Sequence, residues 1–413
     1  MTTFADGSNT KTITHIQIMM HIQGKVYHVG VNDRVKHRFE GLWELPLGVS
    51  YNSYLIADDE AVALVDTVDV AFFSEYLERI REVIGERPID YLIINHMEPD
   101  HSGAIALIRQ HYPHIRLVGN KKTMDMVEGF YGASSPEDLT IADGSELHLG
   151  HHHLRFYLAP MLHWPETMVT YDETEHILFS GDAFGCFGAL NGTVIDTQMD
   201  TTPYWPEMER YYATILGKYA APVKAGLKKL APLDIQTICS THGPVWTAEA
   251  PRAIETYRRL AEGETQHGLV ICYASMYGNT QRVAEAVAEG AAEAGMRTIR
   301  IHNLSVSPMS AVLADIFRYD TLAIGAPTYN GGIFPLADDL LKRLEGRVVN
   351  NHRLGFFGGF TWSGQAVKAI AAYNERMKMQ PAGEPVEWKQ GAHADTLLRA
   401  RELGRALAHG ENA

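Results

Sequence analysis

Cysteine, excess positive charge and long apolar runs are all scarce in this chain of 413 residues. Its three cysteines, Cys186, Cys239 and Cys272, form no CxxC pair, so we expect reduced thiols that pack as small core residues. The 36 basic and 50 acidic residues give a net charge of −14, which argues against a nucleic-acid partner. The apolar run AVALVDTVDVAFF contains two aspartates, so no membrane span is expected.

The amino-terminal stretch MTTFADGSNTKTITH is polar and lacks the apolar core of a signal peptide, so we expect a cytoplasmic protein. Apolar residues make up 46% of the chain and charged residues 21%, as in ordinary soluble globular proteins. The length exceeds what one hydrophobic core usually supports, which predicts two domains.

Short alternating or apolar runs recur from about position 25 to 240, with helical patterns such as FFSEYLERIREVIG and MERYYATILGKYAAPVKAGLKKL between several of them. This pattern predicts sheet layers flanked by helices. After the polar segment PRAIETYRRLAEGETQHG, strands and helices alternate strictly, which predicts a doubly wound parallel sheet with ligands at the carboxyl ends of its strands. We place the two domains at 1–262 and 263–413.

The segment NHMEPDHSG follows the buried run YLIIN and carries four side chains of metal-ligand type: His96, Glu98, Asp100 and His101. A lone histidine here would more often be a satisfied turn residue. Four ligand types at adjacent or alternate positions, held between a strand and a helix, predict a metal site instead.

Three further strand ends repeat this pattern. His163 lies in LAPMLHWPETM, Asp182 in HILFSGDAFG and His242 in IQTICSTHGP. Each alone is more often a strand-end cap, but together the seven candidates divide into two metal ions with one carboxylate able to bridge them. We expect each ligating histidine to donate its other ring N–H to a carbonyl or a carboxylate.

The run HLGHHHLRF contains three consecutive histidines, His151–His153. Consecutive residues of a strand point to opposite faces, and no carboxylate stands nearby in the sequence. We therefore predict a solvated hairpin here rather than a further metal site.

The segment YASMYGNTQRVAEAV follows the buried run LVIC and opens an amphipathic helix. Ser275, Gly278, Asn279 and Thr280 offer hydroxyls and backbone N–H groups at a helix N-terminus, which bind a phosphate dianion without lysine or arginine. An ordinary N-cap turn is the alternative. The segment has no P-loop lysine and is not GxGxxG, so triphosphate and dinucleotide ligands are disfavoured.

In order and spacing, HxExDH, HWPETM, SGDAFG and STHGPVW resemble the metallo-β-lactamase superfamily, whose signature HxHxDH precedes a histidine, a bridging aspartate and a histidine. Glu98 stands where the hydrolases carry histidine. With this change the sequence resembles the flavodiiron proteins (A-type flavoproteins) over nearly its whole length. A carboxylate is a harder ligand and adds negative charge, which favours redox-active iron over zinc.

The resemblance implies an α/β protein in which an N-terminal αββα metallo-β-lactamase-like sandwich precedes a flavodoxin-like doubly wound parallel sheet. It assigns the strand-end ligands to two non-haem irons: His96, Glu98 and His163 to one, Asp100 and His242 to the other, and Asp182 as the bridge. His101 fits the motif, but the family is not uniform in using it as a ligand.

The phosphate segment resembles that of flavodoxin, and two aromatic-bearing loops, PTYNGG and GFTWSG, follow the next strands. Tyr329 and Trp362 offer planes for an isoalloxazine ring, whereas Thr361 departs from a glycine frequent in the family. A single phosphate site with no adenylate-binding features favours FMN over FAD. The implied FMN-binding residues are Ser275, Met276, Tyr277, Gly278, Asn279, Thr280, Pro327, Thr328, Tyr329, Asn330, Gly331, Gly359, Phe360, Thr361, Trp362, Ser363 and Gly364.

A reduced flavin and a diferrous pair hold four electrons, which reduction of O2 to two waters requires, and two suffice to couple two NO into N2O and water. The resemblance therefore implies a cytoplasmic reductase of O2, NO or both. It also implies a head-to-tail homodimer or a dimer of dimers. No rubredoxin-type pair of CxxC knuckles and no NAD fingerprint occur in the sequence, so we expect an external donor, rubredoxin or F420H2.

Two alternatives remain open at this point. One is a zinc hydrolase fused to a flavodoxin-like electron carrier. The other is a non-enzymatic electron-transfer or gas-sensing module whose metal site is structural or vacant. The residues do not distinguish O2 from NO, identify the donor, decide the role of His101 or separate a dimer from a tetramer.

Overall fold

The computed structural model describes residues 21–347 and 349–409, so the signal-peptide prediction, which concerns residues 1–15, lies outside the described residues. The chain forms two compact units. One contains the residues up to Val35 together with Leu47–Tyr204 and Pro232–Pro251; the other contains Lys36–Pro46, Trp205–Ala231 and the residues from Arg252 onward. The sequence-based boundary at 262/263 stays a prediction.

In chain order, the strands are β1 His21–Gln23, β2 Val26–His28, β3 Val31–Asp33, β4 Arg38–Phe39, β5 Trp43–Glu44, β6 Val49–Tyr51, β7 Tyr54–Ala57, β8 Val62–Val65, β9 Tyr91–Ile93, β10 Arg116–Asn120, β11 Leu139–Ile141, β12 Glu146–His148, β13 His153–Leu158, β14 Met168–Asp172, β15 Ile177–Gly181, β16 Thr237–Ser240, β17 Gln266–Tyr273, β18 Ile299–Asn303, β19 Tyr319–Tyr329, β20 Gly332–Ile333, β21 Arg353–Phe360, β22 Gln380–Pro381 and β23 Val386–Lys389.

The α-helices are α1 Phe73–Ile84, α2 Pro99–Ser102, α3 Ile105–His111, α4 Lys121–Tyr131, α5 Tyr204–Tyr211, α6 Ala220–Leu230, α7 Ala250–Glu262, α8 Asn279–Glu293, α9 Met309–Arg318, α10 Pro335–Gly346, α11 Ala366–Met377 and α12 Ala394–Ala408. Short 3-10 segments span Val70–Phe72, Asp196–Gln198 and Gly217–Tyr219, and a π-helical turn spans Tyr212–Leu216. The pattern MERYYATILGKYAAPVKAGLKKL is therefore helical but is not one continuous α-helix.

Two sheets build the first unit. The larger has the strand order β1-β2-β7-β8-β9-β10-β11, and the smaller has the order β12-β13-β14-β15-β16. Their apolar faces share one core, in which Ile56 and Val118 of the larger sheet cluster with Phe156 and Phe179 of the smaller one. The predicted sheet layers are confirmed, and the carboxyl ends of β9, β15 and β16 carry the loops that form the candidate metal centre.

A parallel sheet with the order β18-β17-β19-β21-β22 forms the centre of the second unit, and β23 pairs in parallel with β21. One of its apolar faces is covered by α8 and α12, which contribute Val287 and Leu403 to a core around Phe357. The predicted doubly wound parallel sheet is confirmed. Within residues 21–347 and 349–409, no helix combines the length and apolarity needed to cross a membrane.

Candidate metal centre and flavin site

The predicted metal ligands converge in one buried place although they are far apart in the sequence. They form two groups, and within each group the ligand atoms all lie within 4.8 Å of one another. The first group is His96, Glu98, His163 and Asp182, and the second is Asp100, His101 and His242. All seven residues predicted from the sequence are therefore brought together.

Asp182 lies between the two groups, and each of its carboxylate oxygens faces one of them. Oδ2 lies 2.9 Å from His163 Nε2 and 3.6 Å from His96 Nε2. Oδ1 lies 3.1 Å from His101 Nε2 and 3.8 Å from His242 Nε2. This is the arrangement that a carboxylate bridging two metal ions requires.

Several potential metal-ligand atoms lie close together here without making ordinary hydrogen bonds. Within the described part of the chain, neither carboxylate oxygen of Asp100 has a hydrogen-bond partner, although Nε2 of His101 and of His242 lie 3.3 and 3.4 Å from Oδ2. The same two Nε2 atoms lie 3.0 Å from each other. Buried polar atoms left without partners cost free energy, and metal ions placed among them would satisfy them all. The donor set of imidazole nitrogens and carboxylates fits iron.

Charge pairing within the site shifts the pKa values of its members. Burial raises the pKa of the Glu98 carboxyl, but hydrogen bonds from His163 and His96 outweigh burial and lower it to about 2. Burial lowers the pKa of His163, yet hydrogen bonds to Asp182 and Glu98 raise it to about 9. Burial likewise lowers the pKa of His101, but the charges of Asp100 and Asp182 raise it to about 9. The site thus keeps the Glu98 carboxylate anionic.

The second ring nitrogens of two candidate ligands bind groups behind the site, as expected. His96 Nδ1 lies 2.9 Å from Glu166 Oε1, and His242 Nδ1 lies 2.7 Å from the carbonyl oxygen of Ser50. Our reading of the sequence gave neither partner a role. Glu166 lies in the HWPETM motif three residues after His163, so its carboxylate could have been identified in the sequence as a partner for a ligand. Ser50 makes this contact through its backbone carbonyl, which any residue has, so the sequence could not indicate it.

The prediction of a solvated hairpin at His151–His153 is wrong for His152. His151 and His153 are exposed, but His152 is fully buried. Its Nδ1 lies 2.6 Å from Asp172 Oδ2, and its backbone N–H donates to Asp58 Oδ2 at 2.7 Å. The carboxylates come from distant strands and turns, which is why the local sequence did not reveal them.

The flavin loops meet at the carboxyl ends of β17, β19 and β21, around a cavity of about 100 Å³. Of the predicted residues, those lining this cavity are Ser275, Met276, Tyr277, Asn279, Thr280, Pro327, Thr328, Gly359, Phe360 and Thr361. The predicted residues that do not line it are Gly278, Tyr329, Asn330, Gly331, Trp362, Ser363 and Gly364. Among the latter, Trp362 is 83% exposed and Tyr329 42% exposed, which leaves both rings free to stack on a planar ligand.

Two hydroxyls at this cavity accept hydrogen bonds from backbone N–H groups. Ser275 Oγ accepts from the backbone N–H of Gly278 at 3.1 Å, and Thr328 Oγ1 accepts from Gln365 and Ala366, so both hydroxyl hydrogens remain to be donated. Among residues 21–347 and 349–409, those that line the cavity include no Lys or Arg, so a phosphate bound here would be held by hydroxyls and helix N–H groups. The residues present fit the phosphate end of FMN.

Two lining residues were missed in the sequence: Trp388 at the end of β23 and Gln390 just beyond it. The Trp388 indole N–H is buried and has no hydrogen-bond partner among the residues that the structure describes. Its ring lies against Gly359, where an added Cβ would meet ring atoms at 2.7 Å. The sequence could have indicated both residues, because EWKQG follows the same pattern as the other flavin loops, a strand followed by a polar loop.

Comparison with known families finds two matches along the chain. The ODP family beta lactamase model matches residues 49–243, and the Flavodoxin model matches residues 271–402. A buried two-group metal centre on a lactamase-type fold, joined to a flavodoxin, defines the class of flavin- and metal-dependent oxidoreductases.

Two similar proteins extend this result. The chain is 32% identical over 389 residues to a nitric oxide reductase of Moorella thermoacetica, covering 93% of this chain and 96% of that one. It is 31% identical to an anaerobic nitric oxide reductase flavorubredoxin of Aliivibrio fischeri, covering 94% of this chain and 79% of that one.

Solved structures agree. Rubredoxin oxygen:oxidoreductase of Desulfovibrio gigas aligns with a TM-score of 0.90 and 28% identity, over 94% of this chain and 97% of that one. The flavodiiron protein of Giardia intestinalis aligns with a TM-score of 0.87 and 29% identity, over 93% and 94%. The chain belongs to the flavodiiron protein family. It is an oxidoreductase whose cofactors are FMN and two non-haem iron ions.

Proposed function

We propose that this protein reduces O2 to water, NO to N2O, or both, and that FMN passes it electrons from an external donor. The names of its relatives, nitric oxide reductase and rubredoxin oxygen:oxidoreductase, support both substrates. The observation that carries the proposal is the position of Asp182, whose two oxygens face two separate groups of ligand atoms.

The ligand assignment follows these two groups. His96, Glu98 and His163 would hold one iron, while Asp100 and His242 would hold the other. Asp182 would be shared between them. The position of His101 Nε2, 3.1 Å from Asp182 Oδ1, supports including this histidine in the second group.

When bound, the two irons supply reducing electrons and a place for a diatomic gas to bind. The chain supplies the surroundings. Glu98, Asp100 and Asp182 contribute three carboxylates, which offset the positive charge of the metals. His96, Asp182 and His242 are fully buried, which keeps bulk water from the ligand atoms and strengthens electrostatic interactions within the site.

Three further points complete the proposal. The electron donor is a separate molecule, rubredoxin or F420H2. The active form is a head-to-tail homodimer or a dimer of dimers in the cytoplasm, in which the flavin of one subunit serves the metal centre of another. Measuring turnover of separated subunits tests the assembly, because a monomer with full turnover would contradict it.

Anaerobic reduction of the purified protein followed by addition of O2 or NO tests the activity. We expect one or both gases to reoxidise flavin and iron within the turnover time. One O2 consumes four electrons and four protons to give two waters, and two NO consume two electrons and two protons to give N2O and one water. Bound zinc, ester or thioester hydrolysis and no gas consumption would instead indicate the hydrolase.

A further inference from the structure

We propose that each half of the metal centre has its own positioning residue: Glu166 holds His96, and Asn52 holds the turn that carries His242. Neither is a ligand in the assignment above, on which this inference rests. Each acts through hydrogen bonds made behind a candidate ligand, and the two sets of bonds share no residue.

Glu166 fixes both the ring and the backbone next to His96. Its Oε1 lies 2.9 Å from His96 Nδ1 and accepts from the backbone N–H of Met97, also at 2.9 Å. Its side chain is fully buried, and its carbonyl oxygen accepts from Asn120 Nδ2. An ionised carboxylate can only accept, so Nδ1 of His96 carries the proton. The lone pair of Nε2 is thereby directed toward the metal position.

Asn52 ties together the two sides of the turn that carries His242. Its Nδ2 donates to the carbonyl oxygens of Ser240 at 2.9 Å and Gly243 at 2.8 Å. Its backbone N–H donates to the carbonyl oxygen of Thr241 at 2.7 Å. Because both amide hydrogens are used, Oδ1 is the acceptor that faces His28 Nε2 at 3.0 Å. The amide orientation is therefore determined by its partners.

The same turn is held by a neighbouring residue. Ser50 accepts from His242 Nδ1 through its carbonyl oxygen and from the Gly243 N–H through Oγ, both at 2.7 Å. His242 Nε2 is then left to face the metal position. Replacing Asn52 leaves these contacts in place but removes the donor to the Gly243 carbonyl and leaves the Ser240 carbonyl with the Tyr54 hydroxyl. The turn is then less firmly held, so the position of the His242 ring changes while its tautomer does not.

The two residues should control separate irons. Loss of a hydrogen-bonded partner behind a ligating histidine lowers metal affinity about 10- to 100-fold. We expect this loss at the His96 position for Glu166 variants. Asn52 variants should weaken the His242 position by a different route, because the turn that carries this histidine is less firmly held. In each case the other iron is retained. A residue that acted only on folding would instead change both positions together.

The test uses full-length protein purified with iron. Glu166→Leu removes the acceptor, Glu166→Asp withdraws it by one methylene group, and Glu166→Gln keeps an oxygen for both donors. Asn52→Asp is nearly isosteric but cannot donate to the carbonyls. Asn374→Leu is the matched control, because Asn374 is a buried amide whose two hydrogen bonds go to the backbone of Met379 in the flavodoxin unit.

Iron per protomer, and anomalous scattering at the iron edge in crystals, give the occupancy of each position. We expect Glu166→Leu and Glu166→Asp to lose the iron at His96, Glu166→Gln to retain both irons, and Asn52→Asp to lose the iron at His242. Loss of both irons together, or of neither, would overturn the inference, and if Glu166→Leu does not fold, Glu166→Asp decides. A wild-type protein without two irons would instead refute the ligand assignment.

Discussion

Replacing Glu98 by histidine would restore the hydrolase-type signature HxHxDH and should change which metal the protein holds. In the wild type, three carboxylates, those of Glu98, Asp100 and Asp182, are among the seven converging ligands. The variant exchanges one anionic oxygen donor for a neutral nitrogen donor. We expect zinc to displace iron when both are supplied, because zinc prefers nitrogen and sulfur donors and needs less compensating charge.

The size of the effect follows from charge and distance. Glu98 Oε2 lies 3.2 Å from His163 Nε2 and 3.4 Å from His96 Nε2, so its charge acts on an ion bound by these nitrogens at close range. Two unit charges about 4 Å apart interact by about 4 kcal/mol at an effective dielectric constant of 20. Any iron retained by the variant should therefore have an Fe(III)/Fe(II) potential higher by about 170 mV.

Metal analysis after growth with equal iron and zinc, followed by redox titration of the iron-loaded protein, measures both consequences. Glu137→His is the matched control, because Glu137 is exposed and far along the chain from the ligand motifs. If Glu98→His kept iron in preference to zinc and left the potential unchanged, the carboxylate would not be the residue that adapts this scaffold to iron.

Two further predictions concern residues outside the metal centre. Burial lowers the pKa of His152, but its hydrogen bond to Asp172 and the charges of Asp172 and Asp58 outweigh burial and raise it. The His152–Asp172 pair therefore stabilises the fold fully below about pH 6.5, and this stabilisation is lost as the pH rises through the raised pKa. His152→Leu should cost about 3 kcal/mol in urea unfolding at pH 6 and clearly less at pH 9, whereas exposed His153→Leu should cost little at either pH. Trp388→Phe removes an unpartnered N–H at the flavin cavity and should weaken FMN binding to apoprotein about fivefold to tenfold, and riboflavin binding less. Equal loss for both flavins would place the contact away from the phosphate.

Much of the fold could be predicted because its pattern is local. Runs such as YLIIN and IRLVGN are strands because alternating or continuous apolar residues must be buried in a sheet, and the structure confirms β9 and β10 there. That the N-terminal segment Lys36–Pro46 belongs to the second compact unit could not be predicted, since this depends on packing between residues distant in the sequence. Likewise, the switch to a π-helical turn at Tyr212–Leu216 does not follow from helical periodicity.

The ligand set was accessible from sequence because its members lie in the short segments that follow strands, but the residues that support it were not. Glu166 contacts a histidine 70 residues away, and Asn52 contacts a carbonyl 188 residues away. Such contacts leave no periodic or spaced pattern along the chain. His152 is a further example. The sequence predicts that its run of histidines is solvated, but in the fold Asp172 lies against His152.

The placement of the metal centre explains how one substitution can change its chemistry without changing the fold. Its ligands follow strands of two sheets that share a single apolar core, so their backbone positions are set by packing that does not involve the metal. Buried hydrogen bonds then fix the loops, as when both carboxylate oxygens of Asp66 accept from Asn95. Because the scaffold is fixed in these two ways, the donor atom at position 98 can differ while the remaining ligands keep their places. We therefore expect charge and donor type at that position, rather than the architecture, to decide which metal is held.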